Sequence, residues 1–290
     1  MVACPADAAQ WFADSAAITQ GAPTVPHPSA DPVTVLTTLA GYGERYRLET
    51  DPGAGGDWIA ADRLMDPVAE ELTRVLEAER AASGQVSAHA TALTVMAVYA
   101  GTVTAPALLA WALYDQVLDV RPRNVLLRLD DHHGFAAVAL RRPRLADVSR
   151  MPAGERLALL VSQVLDEHLL PVAEALRARS RAGRRQLHGG IAQGCAAAFG
   201  AASRRPGADV DLLQRSYERF VAACPPELAA LGEMVRLSEA GAEGLFYLRR
   251  TCCLFYTAAH GEKCASCCLD SVEDRIAGYR RALTGGATPH

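Results

Sequence analysis

No large excess of charge of either sign marks this 290-residue chain: 29 Lys and Arg face 33 Asp and Glu, for a formal net charge of −4. Without a basic surplus there is no general attraction to nucleic acid or to anionic membranes, and nucleic acid is not an expected partner. The opening Met1-Val2-Ala3-Cys4-Pro5-Ala6-Asp7 has neither a basic stretch nor an unbroken apolar run. No secretory signal is read there, and a cytoplasmic location is expected. Thiols in that compartment stay reduced, so the eight cysteines read as metal-holding or redox groups before they read as disulfides. The glycine-rich stretch 51–57 lacks a following Gly-Lys-Ser/Thr and is a loop, not a phosphate cradle. A Gly-x-Gly-x-x-Gly strand–turn–helix unit is also missing, so a built-in nicotinamide site is not expected. No internal repeat, acid–base pair or activated nucleophile stands out.

Apolar material is plentiful: 50% of the residues are hydrophobic and 21% charged. That suits one large core or two modest ones. Thr91 to Tyr114 carries no charge and is long enough to span a bilayer. It is built largely of Ala and Thr, however, with Gly101 and Pro106 inside, and Thr104-Ala105-Pro106 has the form of a helix start. Two buried helices, about 88–100 and 105–119, are the reading, with loose attachment to a membrane surface left open. Elsewhere a short helix is expected in the first 20 residues, then a proline-rich connector, and a helix over 32–40 opened by Asp31-Pro32. Tyr46–Thr50 alternates like a strand. Asp66-Pro67 opens a helix with Val68, Leu72, Val75 and Leu76 on one face. Val125–Leu129 and Phe135–Leu140 form a hairpin across Asp130-Asp131-His132-His133-Gly134. Helices are then expected at 153–181 with a kink at Pro171, 184–200, 208–223 and 226–239. Leu245–Arg249 is a last strand, and Ser271 with Asp274 caps a closing helix. The fold class is α+β, mainly helical with a small antiparallel sheet. A body of residues 1–243 and a C-terminal segment of 244–290 are expected.

Five cysteines crowd into that segment as Cys252-Cys253, ten residues, Cys264-Ala265-Ser266-Cys267-Cys268. In Cys264-x-x-Cys267 the two intervening residues let a tight turn aim both sulfurs at one metal or cluster. Cys252 and Cys253 can supply two more sulfurs if the backbone twists between them, since neighbours on a regular strand point to opposite faces. Four thiolates suit zinc, [2Fe–2S] or [4Fe–4S], and the spacing departs both from paired zinc knuckles and from the common ferredoxin runs. Cys195 and Cys224 stand alone and read as small buried side chains. Asp130, Asp131, His132 and His133 would suit a mononuclear metal site, but a polar turn accounts for them more simply.

Arg249-Arg250-Thr251-Cys252-Cys253-x10-Cys264-x-x-Cys267 closely resembles the C-terminal signature of the FhuF-like ferric-siderophore reductases. Leu126–Val138 resembles that family's hairpin, and Leu160–Phe199 its paired helices. Where relatives often carry Trp-Ser-Asn, this chain has Leu187-His188-Gly189-Gly190. The resemblance implies a [2Fe–2S] cluster held by Cys252, Cys253, Cys264 and Cys267, with Cys268 as an additional thiol. It also implies one-electron transfer to siderophore-bound iron(III), releasing iron(II). The cluster would be reloaded by a ferredoxin or by a reduced flavin or nicotinamide system. Arg249, Arg250, His188 and Arg185 are the candidate contacts to an anionic ferric complex. Arg249 and Arg250 could instead stabilise the thiolate-rich cluster, with alternation pointing only one of them to it; His260 reads as exposed. The alternatives are a structural zinc-binding scaffold and an ATP-dependent siderophore-biosynthesis enzyme.

Overall fold

Asp31 caps α1 (Pro32–Ala40), its carboxylate accepting from Val33 N at 2.9 Å and Thr34 N at 3.1 Å, with proline at the first helical position where its missing N–H costs nothing. The computed structural model describes residues 31–53, 57–130, 134–259 and 261–285. The helix expected in the first 20 residues, Cys4, most of the proline-rich connector, part of the glycine turn, and Asp131, His132, His133 and His260 lie outside the described residues.

Two long helices form the centre. The apolar run predicted as two helices is one, α3 (Ala88–Tyr114), following α2 (Glu70–Ser83). Pro106 lies inside α3 and is buried. An interior proline costs roughly 3 kcal/mol in a lone helix, and burial along almost the whole length of α3 outweighs it here. By length and hydropathy α3 would pass for a membrane span, yet 83% of its most apolar window is buried within the protein.

After β1 (Ile59–Ala60), β2 (Val125–Leu129) and β3 (Phe135–Leu140), the chain enters α4 (Ala153–Val161), a π-helical stretch Ser162–Leu169, and α5 (Leu170–Ser180). The widened turn comes just before Pro171, the residue of the expected kink, whose ring would collide with the carbonyl four residues back in a tighter helix. His168, inside this stretch, is fully enclosed, with Nδ1 on the Val120 carbonyl at 2.7 Å and Nε2 on the Tyr99 hydroxyl. α6 (Arg184–Ser203) then crosses α3 with almost no side chain between them. A methyl at Gly194 would lie 2.5 Å from Gly101 N and 2.6 Å from Ala100 Cβ, and one at Gly190 3.1 Å from Ala97 N. The glycines let two backbones meet.

β1, β2 and β3 form one antiparallel sheet in that order. The predicted strand at Tyr46–Thr50 is reduced to a single bridge, Glu49 beside Ala139, because Tyr46 ends a 3-10 turn and buries its ring, its hydroxyl on the Ala198 carbonyl. Val68, expected in the core, is 80% exposed, since α2 begins only at Glu70.

A larger correction concerns 226–239. After α7 (Val210–Ala223), only Pro226–Ala229 is helical (α8), and Gly232–Glu239 is strand β4. It pairs in antiparallel register with β5 (Ala242–Arg249), from Gly232 opposite Arg249 to Glu239 opposite Ala242. Ala240 and Gly241 turn the hairpin with φ of 49° and 82°, the left-handed pair that matches strand twist. The described residues therefore hold two small sheets, not one, within the expected α+β class.

β5 is buried from Gly244 to Arg249 because both its faces are covered. On one side Ser203 Oγ of α6 accepts from Leu245 N at 2.8 Å. On the other lies α9 (Val272–Leu283), where Tyr279 stacks on Phe246 at 4.7 Å and donates its hydroxyl to the Tyr247 carbonyl at 2.9 Å. So clamped, β5 delivers its last residues to a fixed place.

Candidate metal centre

β5 stops at Arg249, and the next five residues build the floor of the cysteine site. Arg250 N closes on the Leu231 carbonyl at 2.8 Å. Thr251 is buried and presses on Gly189 of α6, where a methyl would overlap its hydroxyl and lie 2.6 Å from its Cβ. The Thr251 hydroxyl has no hydrogen-bond partner. Leu254 takes the left-handed conformation, with φ of 60°. This non-glycine residue in a disfavoured region turns the chain sharply just after the vicinal cysteines.

The loop that follows is tied to the α2–α3 corner. Gln85 Nε2 donates to the Leu254 carbonyl at 3.4 Å and to Thr257 Oγ1 at 2.9 Å, and Ala259 N to the Ser83 carbonyl at 3.3 Å. Cys264–Cys267 makes the expected tight turn, Cys267 N on the Cys264 carbonyl at 2.8 Å. Lys263 pairs with Asp270 across it at 2.6 Å. Ser271 then caps α9, its Oγ accepting from Asp274 N at 3.0 Å.

All seven described cysteines are free thiols. Within the site, Cys252 accepts the backbone N–H of Leu254 at 3.3 Å, and the N–H groups of Phe255 and Leu269 lie near enough to lower the Cys253 and Cys267 thiols. Cys264 lies beside Cys253, with Ser266 Oγ at 3.6 Å. The two thiols titrate as a pair. The contact with Cys264 and the charge of Arg249 lower the Cys253 thiol, while the same contact and burial push Cys264 up. Burial raises Cys252 and Cys267, against the lowering effect of their N–H donors.

Among the described residues, no three His, Cys, Asp or Glu side chains converge closely enough to ligate one ion. A binuclear cluster does not ask for that, because each iron takes two protein sulfurs. The donor set fits such a group: thiols in two pairs, already supplied with N–H donors of the kind that tune a cluster's potential.

The residues singled out as substrate contacts separate. Arg249 is 4% exposed and turns inward to the thiols, with Nε on the Thr251 carbonyl at 2.6 Å. Arg250 is exposed, reaching the Ala230 carbonyl at 3.2 Å and Glu233 at 3.5 Å. Arg185 is exposed and His188 half-buried on the first turns of α6. Burial, then the charge of Arg184, lowers the His188 pKa. Cys195 and Cys224 line a different, largely apolar pocket with Tyr217, Phe220 and Tyr247. Sequence reasoning missed Thr251, Gln85 and Arg275, whose Nη1 donates to the Arg249 carbonyl at 3.0 Å. Only the Gly189-Gly190 pair hinted at a close approach.

Two family descriptions match this chain. One, the ferric iron reductase FhuF-like transporter, covers residues 95–239, half of the protein; the other, the FhuF 2Fe-2S C-terminal domain, covers 249–269. No curated protein matches it. The central helices and the cysteine loop thus fall under the two parts of one family, and the chain belongs to the FhuF-like ferric iron reductases, with a [2Fe–2S] cluster as its cofactor.

Proposed function

We propose that this protein is a cytoplasmic ferric-siderophore reductase in which Cys252, Cys253, Cys264 and Cys267 hold the cluster. Residues 1–243 would form the siderophore-facing body and 244–290 the cluster-binding segment. The observation that carries the reading is the placement of Cys252 and Cys253 at the end of the clamped β5, within electrostatic reach of Cys264 and Cys267 on their tight turn, in the stretch that matches a 2Fe-2S domain. A structural clip for zinc would use the same thiols, but the match to a 2Fe-2S domain favours iron.

When bound, the cluster supplies one electron at a time. Iron(III) is a hard cation held tightly by siderophore oxygen donors, and iron(II) is held far less tightly, so one electron makes the complex labile. The protein's own part is to bring the complex close and exclude competing acceptors. Arg185 and Arg250 offer exposed cations, and His188 a half-buried ring next to the Gly189–Thr251 contact. His188 lies within charge range of Glu227, at the head of the α8 turn whose Ala230 carbonyl receives Arg250. The electron comes from a separate donor, a ferredoxin or a reduced flavin or nicotinamide system. Attachment to a membrane surface draws no support from α3, whose apolar length is turned into the core.

The test is anaerobic purification followed by visible and EPR spectra before and after dithionite, then mixing of the reduced protein with ferric siderophores. A red-brown protein with a spin-half reduced signal, reoxidised as iron(II) is released, is the expected result. A colourless protein with stoichiometric zinc would refute the reading. Heat of binding with ATP and magnesium would point instead to a biosynthetic enzyme.

A further inference from the structure

We infer that Arg249 is the buried counter-charge of the cluster, positioning Cys253 and setting the potential at which the site accepts an electron. This rests on the ligand set proposed above. A guanidinium is costly to bury without an anionic partner. Arg249 is 4% exposed, and among the described ion pairs none supplies it with a carboxylate. Its neighbours are instead the Thr251 carbonyl, which takes Nε at 2.6 Å, and the sulfurs of Cys253, Cys264 and Cys268 within charge range, Cys253 foremost. The anions the geometry offers to this buried cation are thiolates.

The surroundings hold it there. Its backbone carbonyl receives Nη1 of Arg275 at 3.0 Å, and Arg275 is itself buried at 8% exposure. Gly232 pairs with Arg249 across the hairpin, and Thr251, whose carbonyl orients the guanidinium, is wedged on Gly189. Arg250 has the same charge and is one residue away, yet it stands in solvent beside Glu233. The pair forms a natural comparison: one arginine acts at short range in a dry site, the other through water, where screening removes most of its field.

Reduction adds one negative charge to the cluster, so a fixed buried cation stabilises the reduced form more than the oxidised form and raises the potential. Removing it makes the site harder to reduce. The expected loss is tenfold to a hundredfold in the electron-transfer equilibrium. At 59 mV per tenfold for one electron this is a potential lower by about 60–120 mV.

The experiment is an anaerobic redox titration of the full chain with its cluster, followed by EPR, for wild type, Arg249→Gln, Arg249→Met, Arg249→Lys and Arg250→Gln. The neutral Arg249 variants should shift by the stated amount, Arg249→Lys should recover most of it, and Arg250→Gln should change the equilibrium less than threefold. Cluster-loaded Arg249→Gln and Arg249→Met within threefold of wild type would overturn the inference while leaving the ligand set standing. If neither neutral variant holds a cluster, wild-type protein labelled with 15N in its arginine guanidinium groups decides the matter by pulsed EPR of the reduced state. A nitrogen coupling from an N–H···S bond supports the assignment, and its absence overturns it. A wild-type chain that takes no cluster would remove the ligand set, and this inference with it.

Discussion

Gly189→Ala tests how far the cysteine site depends on α6, about sixty residues earlier in the chain. Two effects oppose each other. Replacing a helical glycine with alanine gains about 1 kcal/mol in backbone entropy and propensity. The new methyl, however, would overlap the Thr251 hydroxyl and sit 2.6 Å from Thr251 Cβ and 2.8 Å from its Cγ2. A rotamer change can remove the hydroxyl and Cγ2 from the clash, but the Cβ moves only with the backbone, and that backbone leads directly into Cys252. Overpacking of this kind costs about 1–3 kcal/mol, so the net loss is up to about 2 kcal/mol. It should fall on cluster retention as well as on global stability. Gly194→Ala is the control: its methyl would meet the Gly101 backbone at 2.5 Å, in the helix crossing and not against the cysteine loop. Urea unfolding of the cluster-free protein, with iron counted per reconstituted chain, separates the two. Gly194→Ala should lose stability with normal iron per folded molecule. Gly189→Ala should lose iron, and Thr251→Ala should restore part of it in the double variant through a coupling of about 1 kcal/mol. If Gly189→Ala keeps full iron and wild-type stability, the wedge between α6 and the cysteine loop has no energetic meaning.

Three further outcomes follow from the geometry. His168 is buried neutral with a pKa lowered to about 4 by desolvation, so the unfolded chain takes up a proton first as pH falls from its usual 6.5. The stability His168 protects is complete above pH 6.5 and is lost towards pH 4, by about 3 kcal/mol, and His168→Gln should flatten that slope in pH-dependent urea unfolding. Ala240 holds a left-handed conformation at the hairpin turn, and Ala240→Asn should raise the unfolding midpoint by about 0.5–1 kcal/mol equivalent. Gln85→Ala removes both side-chain bonds from the α2–α3 corner to the loop, and hydrogen exchange at residues 254–259 should quicken about tenfold while the core stays protected.

What could be read in the sequence was whatever has a local cause. The Asp31 and Ser271 caps stand where their side chains reach the next free N–H groups. The cysteine cluster was legible because thiols are rare and their spacing is chemical. Local signals misled where tertiary burial decided the outcome. Thr104-Ala105-Pro106 has the form of a helix start, yet α3 runs through it because both sides are packed. The segment 232–239 shows no clean alternation of buried and exposed residues, and its strand exists because β5 lies beside it. Strand alternation predicts that only one of Arg249 and Arg250 faces the cysteines, and the end of β5 turns Arg249 inward and leaves Arg250 in water. Contacts such as Thr251 on Gly189 or Gln85 on Leu254 join positions far apart in sequence and leave no local pattern.

The loop of 254–259 is fastened at the α2–α3 corner by three hydrogen bonds, and β5 fixes the approach to it. When a charge arrives or leaves, dipoles that are already aimed need not swing to meet it. Here those dipoles are the N–H of Leu254, on Cys252, and that of Phe255, beside Cys253. With the cluster held by these cysteines as proposed, anchorage of this kind would lower the reorganisation energy of each transfer, and the same frame that keeps the sulfurs in register would let an electron pass at little cost in motion.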